Sequence, residues 1–191
     1  MKLLTQKSDF KKQAIHWLMF TFCYLPITAL SQTEPSEGAE EAIKHHRVML
    51  VLSHTHVPSG IDSDGSKSWI ASPSWGLDYD YRFNETWSLG IHTDMVLENF
   101  EFEDSDEIVQ KRSSPFAIAL IPSYKFGAHF SVMAGGGVEF AAEQNLALVR
   151  IGAEYGWELP KDWELGISLV SDIKIGSHNS WCLGFGIGKL F

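Results

Sequence analysis

The stretch "WGLDYDYRF", Trp75–Phe83, carries a bulky apolar or aromatic side chain at every second position: Trp75, Leu77, Tyr79, Tyr81 and Phe83. Between them stand Gly76, Asp78, Asp80 and Arg82. Successive side chains of an extended strand point to opposite faces, so this segment has one aromatic face and one charged face. Two environments satisfy both. Either the aromatic face packs into a soluble core with its charges in water, or it meets lipid with the charges inside a closed barrel.

The same alternation recurs along the chain. Segments 45–57, 69–83, 87–100, 114–126, 129–141, 146–159, 163–175 and 181–191 read as eight strands, with no helical period beyond residue 41. Tight connections fall at 84–86, 127–128 and 160–162. They alternate with the more polar 58–68, 101–113, 142–145 and 176–180, of which the last two are also short. Short turns at one end and longer loops at the other build an up-and-down transmembrane barrel. An even strand count places both termini at the short-turn, periplasmic end.

The two faces differ sharply in charge. In the second to eighth strands the apolar parity includes Trp69, Ile91, Leu120, Val138, Ile151, Leu169 and Phe185, and its only charge is Lys189. Aromatic residues cluster at the strand ends. Phe83, Trp87, Phe126, Phe130, Trp157 and Trp163 form one group, and Trp69, Phe100, Phe116, Phe140 and Trp181 the other. Two such groups make the aromatic girdles of a membrane barrel. A soluble barrel would turn these rings into a lumen that eight strands leave narrow. Glycines and paired charges fit that space better. The predicted fold is therefore all-β, an eight-stranded antiparallel up-and-down transmembrane β-barrel over residues 43–191.

The N-terminal segment reads differently. Lys2, Lys7, Lys11 and Lys12 precede an apolar run from Ala14 to Leu30, and Ala29-Leu30-Ser31 supplies small residues for cleavage. Residues 1–31 are read as a secretory signal peptide. A membrane anchor competes with that reading, but His16 and Pro26 interrupt the run, whose length is at the short limit for a span. No small residue precedes Cys23 as in a lipoprotein. Residues 32–42, polar and acidic, are read as a disordered lead-in. Setting aside 1–31 leaves 11 basic and 23 acidic residues, a net charge of −12, which argues against nucleic acid as a partner. Cys182 is then the sole cysteine, so no intrachain disulfide is expected.

The last strand carries a resemblance. Leu183, Phe185, Ile187 and terminal Phe191 alternate towards an aromatic end, with Lys189 departing where an apolar residue is usual. Over residues 43–191 the chain resembles the small outer-membrane β-barrel family, the eight-stranded type typified by the transmembrane domain of outer-membrane protein A. The resemblance implies a monomer in the outer membrane of a Gram-negative envelope. It also implies contact with outer-membrane lipid and lipopolysaccharide, and recognition of the C-terminal strand by the barrel-assembly machinery.

Candidate site residues lie on the inward parity. Asp78, Asp80, Asp94, Glu98, Glu139, Glu154, Glu158, Glu164 and Asp172 are acidic, and Arg82, Lys125, Arg150 and Lys174 are basic. Arg47 joins them in one of two registers, because 48–52 is apolar on both parities. His92 faces Asp78 if the 84–86 turn is symmetric. Buried charges need partners, so a lumen network of ion pairs is expected. A narrow solute or cation pathway is the alternative. His54 and His56, with His178 brought to the same rim, are weak candidates for a metal; solvated rim histidines are the simpler reading.

A lipid A deacylase type of enzyme would use a His, a Ser two residues on and a Glu. His178 and Ser180 have that spacing, but no Glu follows, and Glu139 or Glu143 would have to substitute. No enzyme activity and no cofactor are therefore expected. The glycine runs "GFGIG" and "AGGGVEF" lack the helix a phosphate loop needs. The expected role is a membrane scaffold or surface-interaction protein whose outer loops 58–68 and 101–113 make contacts outside.

Overall fold

The computed structural model describes residues 43–62, 65–103 and 108–191. The expected signal peptide and lead-in lie outside the described residues. The strands are β1 His46–Ile61, β2 Lys67–Arg82, β3 Trp87–Val96, β4 Phe100–Glu103, β5 Val109–Arg112, β6 Phe116–Phe126, β7 Phe130–Phe140, β8 Leu146–Leu159, β9 Trp163–Lys174 and β10 Asn179–Leu190. All are antiparallel to their neighbours. Eight of them, β1 to β3 and β6 to β10, form the barrel, which closes by pairing β1 with β10.

Strand stagger can be followed from pair to pair. The Arg82 N–H donates to the carbonyl of His45, and Arg82 lies opposite Ser88. The path continues through Ser123, Met133, Gly152, Val170 and Cys182 to Thr55. One circuit thus advances ten residues along β1, from His45 to Thr55. A shear of that size with eight strands tilts them by about 40° and leaves room for side chains but no wide channel.

The tight turns have local causes. Asn84 Oδ1 accepts hydrogen bonds from the N–H groups of Thr86 and Trp87 at 2.9 and 2.8 Å, an Asx turn that reverses the chain after β2. Gly127, with φ of 62°, turns β6 into β7. Lys161 and Asp162 adopt left-handed φ of 62° and 64° in the 3-10 turn Pro160–Asp162, where Asp162 pairs with Lys44.

The first strand resolves its ambiguous register. Arg47, Met49, Ser53 and Thr55 are buried inside, while Val48, Leu50, Leu52 and His54 are exposed. Leu52 faces Phe185 across the seam, so the outer apolar surface runs unbroken around the closure. Lys189 sits at the short-turn rim. It lies 3.7 Å from Asp162 and 5.6 Å above the Trp163 ring, and its long stem keeps the charge off the apolar band.

Two expectations are corrected at the opposite rim. The third strand ends at Val96, not at residue 100, and the loop 101–113 contains a hairpin, β4–β5. The hairpin pairs with the end of β1, Gly60 opposite Phe102 and Ile61 opposite Glu101. Phe100 therefore leaves the aromatic girdle. It is buried with Phe102, Val57 and Val96, and Ile70 packs against them. Burial of these rings explains why so acidic a segment folds back over the barrel mouth.

Candidate functional site: a charge ladder in the lumen and its cap

The inward residues meet in tiers. At the short-turn end Arg47 donates through Nη1 to Asp80 at 3.0 Å and through Nε to Glu164 at 2.9 Å, and its Nη2 bonds Glu154. One planar guanidinium thereby ties β1 to β2, β8 and β9. Fixed, forked donors of this kind suit several carboxylates at once. Lysine could not reproduce the geometry.

Next inward, Asp80 also meets His92, whose Nε2 is 2.9 Å from Oδ1. His92 Nδ1 lies 3.8 Å from Asp78, whose other oxygen accepts the Thr93 N–H at 3.0 Å. Register places Gly90 opposite Asp80. A Cβ on Gly90 would fall 2.1 Å from Asp80 Oδ1 and 2.9 Å from His92 Nε2. The glycine is therefore the space in which this pair forms.

Higher again, Arg150 binds Asp172 in a two-pronged contact, 2.7 Å from Nε and 2.8 Å from Nη2. Asp94, on β3, lies 3.5 Å from the Ser53 hydroxyl of β1. The top tier joins Glu139 to Lys174 at 3.2 Å and to Arg112 at 3.1 Å through Nε. Lys174 also donates to Ser180 Oγ at 2.6 Å. An apolar patch of Ala117, Ala119, Ile121, Met133 and Leu148 lies beside these charges on β6 to β8, with Ala117 opposite Glu139 and Leu148 opposite Lys174.

The cap closes above Glu139. Arg112, only 2% exposed, reaches down from β5, and its Nη1 donates to the carbonyl of Gln144 at 2.7 Å. His178 lies beneath the rings of Phe102 and Phe100, at 4.1 and 5.5 Å between centroids. Its Nδ1 is 3.2 Å from Ser177 Oγ, and its Nε2 has no partner. Burial, reinforced by Lys174 and Arg112, pushes the imidazole far below its usual range. Outside the cap, hydrogen bonds from Ser113 hold the Glu143 carboxyl below its ordinary value.

Of the residues expected from sequence, Asp78, Asp80, His92, Asp94, Glu139, Arg150, Glu154, Asp172 and Lys174 gather in this ladder. Arg82 and Lys125 line a cavity of about 50 Å³ at the short-turn mouth, and Lys125 pairs with Glu158 at 3.1 Å. Glu98 does not join the network. It lies beyond the end of β3, exposed on an outer cleft. The three histidines are not brought together either. His54 and His56 are on the outer parity of β1, where His56 stacks on Trp181 with ring centroids 3.9 Å apart, whereas His178 points inward. Among the described residues no group of three His, Cys, Asp or Glu side chains could hold a metal ion.

Ser180 and His178 form no nucleophile–base pair, because Ser180 Oγ is bonded to Lys174 and His178 to Ser177. Arg112 went unread in the sequence. It belongs to an acidic loop expected to face outward, and no periodicity in that loop marks it as inward.

No family model matches the chain, and no curated relative does. Solved structures do. The outer membrane protein OprG of Pseudomonas aeruginosa is 15% identical, with 77% of this chain and 96% of that chain covered at a TM-score of 0.51. The attachment invasion locus protein Ail of Yersinia pestis, solved with the heparin analogue sucrose octasulfate, is 16% identical, covering 76% and 99% at 0.49. Neisserial surface protein A is 12% identical, covering 76% and 97% at 0.48. The fold is that of a small outer-membrane β-barrel: eight antiparallel strands, closed, with an apolar outer belt and a charged interior. At 15% identity the likeness to OprG is one of fold.

Proposed function

We propose that the protein is a closed outer-membrane scaffold that acts through its outer face and does not conduct solutes. One observation carries this reading. Arg47 spans the lumen cross-section between Asp80, Glu154 and Glu164, and the cavities on either side of this tier are only about 50 and 40 Å³. Each has room for a few waters at most. Above them the cap of Phe100, Phe102 and Arg112 covers the opposite mouth. Charges paired across strands supply rigidity in place of a water path, and the lipid belt holds the body in the bilayer.

In this reading both termini are periplasmic, the outward face contacts lipid and lipopolysaccharide, and the C-terminal strand ending in Phe191 is recognised by the barrel-assembly machinery. The protein acts as a monomer without catalytic activity. Planar-bilayer recording of the folded chain tests it directly. The expected record is flat at both polarities in molar potassium chloride. Discrete cation-selective steps would replace the scaffold reading with the narrow pathway. Mass analysis of lipid A from cells with and without the gene tests the remaining alternative, and an identical acylation pattern is expected.

A further inference from the structure

The barrel wall is incomplete between β2 and β3. Their ladder ends where the Leu97 N–H donates to the Pro73 carbonyl at 3.0 Å. Beyond it β2 continues to Lys67, paired on its other side with β1, while the chain after Val96 leaves to form the cap. Pro73 and Leu77 bond towards β3, so by the alternation of an antiparallel ladder Ala71 and Trp69 present their N–H and C=O groups to the gap. No strand pairs with them there among the described residues.

A cleft of about 690 Å³ follows this free edge, a size typical of ligand sites. Ser68–Ser72 borders one side, with Trp69 66% exposed, and Glu98 to Glu101 border the other. Among the described residues Glu98 and Glu101 are exposed and make no ion pair, and the one basic residue lining the cleft is Lys111, opposite Glu101 in the hairpin. Ser72, 2% exposed, also lines it, and its hydroxyl is buried without a hydrogen-bond partner. A buried, unpartnered hydroxyl beside an unpaired strand edge indicates a site that an incoming group completes.

We propose that this cleft receives an extended basic segment of another polypeptide, which adds as a strand along Trp69–Ser72. Strand addition satisfies the free backbone groups, and the two glutamates select lysine or arginine side chains. A small cation would use the carboxylates alone and leave the edge unpaired. The inference rests on the reading of the protein as a surface-interaction scaffold and names where that interaction occurs.

The test uses the full chain folded in phosphatidylcholine nanodiscs and fluorescent hexapeptides. One peptide alternates Val and Lys, a second alternates Val and Glu, and a third is the Val–Lys peptide with alternate amides N-methylated. The Val–Lys peptide should bind saturably, and the other two about tenfold more weakly or not at all. The double variant Glu98→Lys, Glu101→Lys should reverse the charge preference while its heat-dependent gel shift stays unchanged. Absence of saturable Val–Lys binding overturns the proposal. Equal binding of the N-methylated peptide overturns strand addition, and an unaltered preference in the double variant overturns the role of the glutamates. These outcomes leave the closed-barrel reading untouched, since that reading stands or falls on conductance.

Discussion

Arg112 of the outer hairpin and Glu139 of β7 form a buried ion pair that fastens the cap to the barrel. Both side chains are almost fully removed from solvent, and Lys174 shares the same carboxylate from the opposite side. Removing one member of such a cluster strands the others without a partner. Arg112→Ala is expected to destabilise the capped state by about 3 kcal/mol. Hydrogen exchange of the 100–103 and 109–112 amides should accelerate, while the amides of β7 and β8 remain protected. Unchanged protection in the hairpin would mean that the Phe100 and Phe102 rings hold the cap without the arginine.

Arg47 governs the other end. Arg47→Met leaves Asp80, Glu154 and Glu164 facing one another, with the His92 imidazole still bonded to Asp80. The expected loss is about 3–5 kcal/mol, seen as a lower temperature for the heat-dependent gel shift. Arg47→Lys should recover only part of it, because a point charge reaches fewer of the three carboxylates. Full recovery by lysine would show that charge alone, not the forked geometry, matters at this tier.

The barrel was legible in the sequence, and the cap was not. Alternation around Trp75–Phe83 is strong because lipid outside and charge inside impose opposite demands on successive residues. The same period placed Asp78 opposite His92 and Arg150 in the lumen. Arg47 stayed open because residues 48–52 are apolar on both parities, and Met49 is indeed an inward apolar side chain. The segment 97–112 has no such constraint. Its fold depends on Phe100 and Phe102 finding Val57 and Ile70, partners distant in sequence, and on Arg112 finding Glu139. Glu98 was misplaced for the same reason, since the parity of β3 does not persist past Val96. The histidines misled because closing β10 on β1 sets His54 and His178 at one rim but on opposite faces of the wall.

Glycines inside the barrel differ in how much they can give. At Gly90 an added Cβ would meet the Tyr79 carbonyl at 2.9 Å as well as the Asp80 and His92 side chains. At Gly186 it would meet Met49 Sδ at 2.4 Å, in an unbranched and adaptable side chain. Gly90→Ala should therefore cost about 2–3 kcal/mol, and Gly186→Ala about 1 kcal/mol or less. Urea unfolding in lipid vesicles measures both. Equal costs would show that Met49 has no alternative rotamer within the lumen.

His178 makes the cap sensitive to acid. A free imidazole titrates near 6.5, whereas burial beneath Phe102 and Phe100 holds the His178 pKa at about 2 in the closed state. Below the free value the open cap binds a proton that the closed cap excludes. Cap stability is therefore complete above pH 6.5 and declines as the pH falls from there towards about 2, by about 1.4 kcal/mol per unit. Between pH 7.5 and 5.5 the open population should grow about tenfold, read as hydrogen exchange of the β4 and β5 amides corrected for intrinsic rate. His178→Phe keeps the ring stacking and removes the titration, so its exchange should lose this slope. An identical slope in the variant would place the proton uptake on another group of the mouth.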